Sequence, residues 1–90
     1  QKTNQLKFAE DALNTWGYKL INQKKKQQAL EIFKLNTYLF PLSANTQDSL
    51  AETYWLLGNT KKAVDHYKKV LGLKPDNKHA KEQLKKLNKA

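Results

Sequence analysis

With 90 residues, the chain is long enough for one small domain. All 17 of its basic residues are lysine and its net charge is +9, so it lacks the planar arginine fork that reads bases and binds phosphate through paired hydrogen bonds. It contains no cysteine, which excludes disulfides, cysteine-bound metals and thiol nucleophiles. No stretch approaches the roughly 18 apolar residues of a membrane helix.

Apolar residues recur with a helical period along most of the chain. Residues 1–8 are mostly polar, and we predict a linker or a frayed N-terminus there, followed by a single domain over residues 9–90. The first helix is predicted over about residues 9–23 and the second over about residues 27–40. The second ends before Pro41, because the residue preceding a proline avoids the helical conformation. The apolar stripe of the first helix is Leu13, Trp16, Gly17, Leu20 and Ile21.

Three further helices are predicted in the second half of the chain. The segment from Ser43 to Thr46 offers N-cap residues for a helix over about residues 45–57, and Gly58 ends it. Asn59 or Thr60 caps a fourth helix that reaches about residue 71. The fifth helix, residues 78–88, has one narrow apolar stripe formed by Ala80, Leu84 and Leu87, and its other positions are almost all polar.

Matched residue types recur at an offset of 34 along the sequence. A fixed period of this length is typical of helix–turn–helix units that stack side by side. Such stacks bury a core between neighbouring units and offer a concave surface to partners. The pattern therefore favours a binding or structural role. The matched pairs are Leu20 and Tyr54, Ala29 and Ala63, Phe33 and Tyr67, and Pro41 and Pro75.

These residues resemble two tetratricopeptide repeats followed by a capping helix. The second repeat, about residues 44–77, has Leu50, Ala51, Tyr54, Gly58, Ala63, Tyr67, Val70 and Pro75 at the signature positions of the family. The first repeat, about residues 10–43, has Trp16, Gly17, Leu20, Ala29, Phe33 and Pro41 there. The resemblance implies an all-α fold, a right-handed α-solenoid of two helical hairpins and a capping helix over residues 78–88. It also implies a protein–protein interaction or structural module.

Two residues depart from the pattern of that family. Lys24 stands where the family usually has a turn glycine, and a left-handed lysine costs about 1–2 kcal/mol. Asn36 stands at a normally small, buried position. Because a buried amide without partners costs about 1–3 kcal/mol, we expect Asn36 to find a hydrogen bond.

A narrower resemblance concerns the protein from which the chain derives. Residues 13–18, 29–36 and 48–52 are similar to the repeat pair at the C-terminus of some bacterial serine hydrolases of the β-lactamase-like and α/β-hydrolase kinds. The chain also has no methionine, even at position 1. We therefore expect it to be the C-terminal part of a larger protein, with a hydrolase as the alternative identity of that protein.

The side chains capable of chemistry do not form a catalytic pattern. His66 and His79 lack the i, i+4 partner of a helical metal site, and Ser43 and Ser49 lie in no nucleophile motif. No catalytic motif of the serine hydrolases is present. The sequence predicts no catalytic residue, no metal and no cofactor, and therefore predicts that this chain is not itself an enzyme.

In the resembled family, the first helix of each repeat lines the concave surface. That analogy predicts a peptide-binding groove in which the carboxylates favour a basic or amide-rich ligand. The alternative is that Ile21 and Leu56 belong to the core and Trp55 covers a seam between helices. Periodicity alone does not separate the two. The predicted groove residues are Asn14, Tyr18, Ile21, Asn22, Asp48, Glu52 and Trp55.

Charge limits the partners of this groove. Repeats that clamp an acidic chaperone tail use cations, but the equivalent positions here are Asn14, Tyr18, Ser49, His79 and Gln83, so we expect no such clamp. The lysines of the last two helices are expected to form a solvated face. The alternative is that these lysines bind a partner, either a polyanion, weakly and non-specifically, or an anionic membrane surface. Nucleic-acid binding, in either case, should be electrostatic and salt-sensitive.

The two ends of the predicted stack differ. The last helix has the single apolar stripe of a cap, whereas the first helix has no helix before it and bears Leu13, Trp16 and Leu20. An uncovered repeat face exposes apolar area. We therefore expect either a preceding domain of the same polypeptide on this face, self-association through the first helix, or residues 1–8 folded back over it with Leu6 and Phe8.

Overall fold

The computed structural model describes the backbone of residues 2–88 and the side chains of residues 5–88. The described part of the chain is entirely helical and contains no strand. Its principal extents are 44, 31 and 17 Å. Five helices follow one another: α1 (Lys2–Asn22), α2 (Lys26–Leu39), α3 (Ala44–Leu56), α4 (Thr60–Leu73) and α5 (Lys78–Asn88).

The helices are packed as two hairpins and a capping helix. α1 packs on α2, and α3 packs on α4. The hairpins meet mainly through α2 and α3, and α5 packs on α4. α3 therefore lies in the centre of the stack, which explains why it buries polar as well as apolar side chains. Its buried residues are Ala44, Thr46, Gln47, Ser49, Leu50, Ala51, Thr53 and Tyr54.

Short polar side chains start three of the helices. Ser43 precedes α3 and its Oγ accepts a hydrogen bond from the Thr46 N–H at 3.4 Å. Asn59 precedes α4 and accepts from the Lys62 N–H at 3.1 Å. Ahead of α5, Asn77 Oδ1 accepts from the Ala80 N–H at 2.9 Å. Each cap satisfies one of the free N–H groups at a helix start.

The turns inside the two hairpins have the same handedness. Lys24 has φ 63° and Gly58 has φ 83°, and the two positions are 34 residues apart in the sequence. Glycine adopts this left-handed conformation without a steric penalty, whereas lysine does so at a cost. The first hairpin therefore makes the same turn as the second with a less suitable residue.

Small residues let the helices approach within each hairpin. Ala29 of the first hairpin and Ala51 and Ala63 of the second are fully buried. At Gly17, a Cβ would lie 2.4 Å from Cζ of Phe33, so only glycine fits there. The large side chains of Phe33 and Tyr67 fill the space behind these contacts and are 0% and 2% exposed.

The N-terminus differs from its prediction. α1 begins at Lys2 instead of at about residue 9, so residues 2–8 are helical and do not form a linker. The alternative of a frayed N-terminus stays a prediction, and Gln1 lies outside the described residues. The segment contains good helix formers and no stop signal, and Lys7 and Asp11 form an i, i+4 ion pair at 3.1 Å. Leu6 and Phe8 are 58% and 75% exposed, so they do not fold back over the domain.

Trp16 also differs from its prediction. It was placed on the apolar stripe of the first helix, but it is 51% exposed, because α1 packs on α2 through the side that bears Gly17 and Leu20. The fifth helix agrees with its prediction, since Ala80 and Leu87 are buried against the core. None of the described helices combines the length and the apolar character that crossing a membrane requires.

Candidate functional site: the groove face of α1, α3 and α5

Polar side chains of alternate helices meet on one side of the stack. We call this surface the groove face and define it by Asn14 and Tyr18 of α1, Asp48, Ser49 and Glu52 of α3, and His79 of α5. Helical spacing places Asn14 and Tyr18 on one side of α1, and Asp48 and Glu52 on one side of α3. The pairing of the hairpins then brings the two sides together.

Hydrogen bonds join α1 to α3 across the groove face. The Tyr18 hydroxyl donates to Glu52 Oε1 at 2.6 Å and lies 3.2 Å from Ser49 Oγ. Ser49 Oγ donates in turn to Asn14 Oδ1 at 2.7 Å. Burial raises the pKa of the Tyr18 hydroxyl, and the hydrogen bond to Glu52 raises it further. Tyr18 therefore remains a neutral donor at physiological pH.

Asp48 and His79 connect α3 to α5. His79 Nε2 lies 3.5 Å from Asp48 Oδ1. Burial raises the pKa of Asp48, and the neighbouring Glu52 charge acts in the same direction, while His79 opposes both. Two carboxylates one helical turn apart thus share this region. α3 contains no lysine at all, so the centre of the groove face is acidic although the chain as a whole is strongly basic.

Tyr67 of α4 borders the groove face from the core side. Its ring meets the His79 ring edge-on, with centroids 6.1 Å apart. Burial raises the pKa of Tyr67, and the negative charges of Asp48 and Glu52 add to the increase. The sequence assigned Tyr67 only to the core, and no local signal in the sequence relates it to the carboxylates of α3. Ser49 and His79 were considered as catalytic, metal-binding or clamp positions, and were not predicted to line the groove.

The predicted groove residues fall into two groups. Asn14, Tyr18, Asp48 and Glu52 lie together on the groove face. Trp55 follows Glu52 on the same side of α3 and is 51% exposed, so it is not a core residue. Ile21 is partly buried and packs against the core, whereas Asn22 is exposed at the end of α1. The structure thus brings four of the seven predicted residues onto the groove face, three of them in the hydrogen-bonded row and Asp48 beside His79.

His66 and Ser43, the other histidine and the other serine of the described residues, have structural partners. His66 Nδ1 lies 2.7 Å from Gln47 Oε1, and its ring stacks on Tyr54 with centroids 5.4 Å apart. Ser43 Oγ donates to Glu10 Oε2 at 2.7 Å. Within residues 5–88, no group of three or more histidine, aspartate or glutamate side chains is arranged to hold a metal ion.

The class of protein defined by this fold is the helical-repeat proteins. The chain has two stacked helical hairpins, a capping helix and a polar surface that runs across alternate helices. Residues 44–77 match the model of the tetratricopeptide repeat family. The match covers the second hairpin, and the structural likeness described below shows the same kind of helical fold. The predicted all-α fold of stacked repeats and a capping helix is confirmed.

The chain is similar to two curated proteins that are much longer than it is, and to one solved structure. The human and mouse proteins called Cell division cycle protein 16 homolog are each 32% identical to it over 68 residues, which are 76% of this chain and 11% of theirs. The structure titled "First TPR of Spaghetti (RPAP3) bound to HSP90 peptide SRMEEVD" has a TM-score of 0.52 and 18% identity. It matches over 89% of this chain and 90% of that one.

These comparisons bear on the predicted parent protein. The chain spans only 11% of the length of the curated relatives, which are mammalian proteins. None of the proteins named above is a serine hydrolase, so the predicted link to bacterial hydrolases gains no support from them. The predicted limits of the two repeats stay a prediction.

Proposed function

We propose that the chain is a protein-interaction module that binds a peptide segment along the groove face. The segment belongs to a partner protein or to a preceding domain of the same polypeptide. The observation that carries the proposal is the hydrogen-bonded row of Asn14, Ser49, Tyr18 and Glu52, in which the buried Ser49 holds the half-buried side chains around it in place. Trp55 stands beside this row with half of its surface in solvent.

The charges of the groove face indicate the class of peptide. Asp48 and Glu52 are the charged residues of α3, and no lysine of that helix offsets them. A peptide rich in lysine or arginine would meet opposite charge there, and an amide-rich peptide would find acceptors. Trp55 would supply the large aromatic contact that carries much of the energy at interfaces. The proposed ligand is therefore basic or amide-rich.

An acidic chaperone tail is the ligand that this face should reject. The solved repeat protein described above holds an HSP90 peptide. In this chain the clamp-equivalent positions offer only amides, hydroxyls and the partly exposed imidazole of His79. The Asp48 and Glu52 carboxylates would repel an acidic peptide. We propose that such peptides bind at least tenfold more weakly than basic peptides, about 1.4 kcal/mol.

The proposal assigns binding to this chain and catalysis to none of its residues. Ser43 Oγ donates to the Glu10 carboxylate and Ser49 Oγ to the Asn14 amide. Neither hydroxyl is hydrogen-bonded to a histidine in the described part of the chain, so neither has the base that activates a serine nucleophile. We propose further that the chain is one part of a larger protein, a proposal supported by the 11% of the curated relatives' length that it spans.

Selection of random peptides on the immobilised chain tests the proposal. Enriched peptides are measured by titration calorimetry against the parent chain and against Trp55→Ala and Glu52→Gln. The matched control is Tyr38→Ala, which removes an aromatic residue of α2 that is 81% exposed and lies outside the groove face. We expect Trp55→Ala to weaken binding by about tenfold or more and Tyr38→Ala to leave it unchanged. Peptides that bind the parent chain and all three variants with equal affinity would contradict the proposal.

A further inference from the structure

α1 has a second exposed face that the groove face does not use. Trp16 and Tyr18 differ by two positions, or about 200° around a helix, so they point to opposite sides of α1. Phe8 is 75% exposed and Trp16 is 51% exposed. These two residues line a shallow depression of about 490 Å³. The other residues of this outer face are Asp11, Ala12, Thr15 and Lys19.

The charges of the outer face are self-complementary. Asp11, Thr15 and Lys19 are spaced at i, i+4 and i+8, so they follow one side of the helix. The acid and the base stand at equal distances on either side of Thr15, about 6 Å each along the axis. A twofold axis that passes beside Thr15 would place Asp11 of each copy at the level of Lys19 of the other.

The apolar residues of the outer face fit the same symmetry. In an antiparallel pair of α1 helices centred on Thr15, Trp16 of each copy would lie one residue, about 1.5 Å along the helix, from the twofold axis. The two Trp16 rings would therefore meet beside that axis in an apolar contact. Thr15 at the crossing point is small enough to let the two helix backbones approach.

We propose that the outer face of α1 binds the outer face of a second copy of this chain, as an antiparallel twofold dimer. The occupant is a second copy because the charges of this face complement themselves about the twofold axis. Two copies of a chain with net charge +9 repel one another as wholes, whereas this face places opposite charges at matching levels. Asp11 also pairs with Lys7 of its own helix at 3.1 Å, and the dimer would add a second cation beside it.

The expected dimer is weak. One helix of 21 residues from each copy buries less than the roughly 1,200 Å² of a standard interface, which places the contact among transient associations. Sedimentation velocity should therefore show a concentration-dependent monomer–dimer equilibrium between about 10 µM and about 1 mM. The groove face stays open in this arrangement, so dimer formation and peptide binding are measured independently.

Charge reversal tests the proposed pairing. Asp11→Lys and Lys19→Asp each place like charges together, and each should weaken the dimer by about tenfold or more. The double variant restores opposite charges and keeps the net charge at +9, so it should recover dimer formation. Matched controls are Glu31→Lys and Lys34→Asp on α2, an exposed i, i+3 ion pair that alters the net charge equally. These controls should not change the equilibrium by more than their net charge does.

The charge-reversal variants must fold, and their dimerisation must follow a defined pattern, for the proposed dimer to hold. Circular dichroism checks that every variant remains helical, which we expect because an exposed i, i+4 pair contributes only about 0.2–0.5 kcal/mol. A dimer that is lost in both single variants and regained in the double variant supports the proposal. A strictly monomeric parent chain, a dimer that survives either single reversal, or a double variant that stays monomeric would overturn it.

Discussion

The backbone of Gly17 lies directly against the ring of Phe33, and a Cβ at position 17 would stand 2.4 Å from Phe33 Cζ and 2.5 Å from Cε1. Real Cβ atoms do not approach a ring carbon so closely. Phe33 is fully buried, so its ring has no free space to move into. The contact fixes the distance between α1 and α2, and hence the position of Tyr18 one residue further along α1.

Gly17→Ala should therefore destabilise the fold although alanine is the better helix former. We expect a loss of about 1–3 kcal/mol in the free energy of unfolding, the usual cost of overpacking. Gly72→Ala is the control, since a Cβ there meets nothing within 4 Å. It should be neutral or stabilising by up to about 1 kcal/mol. Urea denaturation measures both, and an unchanged Gly17→Ala would show that the ring yields.

The two left-handed turn residues give a reciprocal pair of substitutions. Lys24→Gly should stabilise the chain by about 1 kcal/mol and Gly58→Lys should destabilise it by a similar amount, because both positions have positive φ and only glycine is free of the steric cost. Lys25→Gly is the control, since Lys25 has φ −109°. Thermal unfolding compares the three variants. A loss of stability in Lys24→Gly would mean that the lysine side chain contributes contacts of its own.

Asn36 is a buried amide with one satisfied end. It is fully buried, its Nδ2 donates to the Glu10 carbonyl at 3.1 Å, and its Oδ1 has no partner among the described residues. Asn36→Asp removes the donor and buries a charge, so we expect a loss of more than about 3 kcal/mol at neutral pH. Asn36→Leu removes both the unpaired oxygen and the hydrogen bond to Glu10. Its free energy of unfolding should therefore stay within about 1 kcal/mol of that of the parent chain. Equal losses in chemical denaturation would contradict this account.

Trp55 and Phe33 should differ sharply in their contribution to stability. Trp55→Ala should cost less than about 1.5 kcal/mol, because half of the side chain is already in solvent. Phe33→Ala should cost about 3–5 kcal/mol, as for a deleted core aromatic. Guanidinium denaturation of both variants measures the difference. A large loss for Trp55→Ala would place this side chain in the core and remove it from the groove.

His66 should make the fold less stable in mild acid. Burial lowers the pKa of His66 below its ordinary value of 6.5, and the nearby Lys69 charge adds to the effect. The unfolded chain then binds the proton more readily than the folded chain, so stability falls as the pH drops from about 6.5 through the lower folded pKa.

His66→Gln should abolish this part of the pH dependence. Denaturation midpoints of the parent chain and of His66→Gln are compared between about pH 7 and about pH 5. The parent chain should lose more stability than the variant over that interval. His79→Gln is the control for the other histidine. Parallel curves for the parent chain and His66→Gln would show that the imidazole takes up its proton in the folded state as readily as in the unfolded chain.

The sequence predicted the repeat but not the contacts between repeats. The offset of 34 identified the hairpins, their turns and the small residues at Ala29 and Ala63, because each of these depends on local geometry. The need of Asn36 for a hydrogen bond was also predicted. Its partner, the Glu10 carbonyl, lies 26 residues earlier and is set by how α1 packs on α2, which no local pattern encodes.

The candidate site shows the same division. Helical spacing placed Asn14 with Tyr18 and Asp48 with Glu52, but the 2.6 Å bond from Tyr18 to Glu52 depends on the distance between hairpins. Spacing also left open whether Trp55 covers a seam. The first helix was predicted to start at about residue 9, with a linker or a frayed N-terminus before it, whereas α1 starts at Lys2. Polar residues do not mark a helix start, because they are as compatible with an exposed helix as with a linker.

The distribution of tryptophan has a practical consequence. The chain has two tryptophans. Trp16 lies on the outer face of α1, and Trp55 lies beside the groove face. A chain with Trp16→Phe would thus fluoresce from the groove face alone, and one with Trp55→Phe from the outer face alone. Each surface carries its own intrinsic optical reporter, so peptide capture and self-association would be followed as separate emission changes in one unlabelled protein.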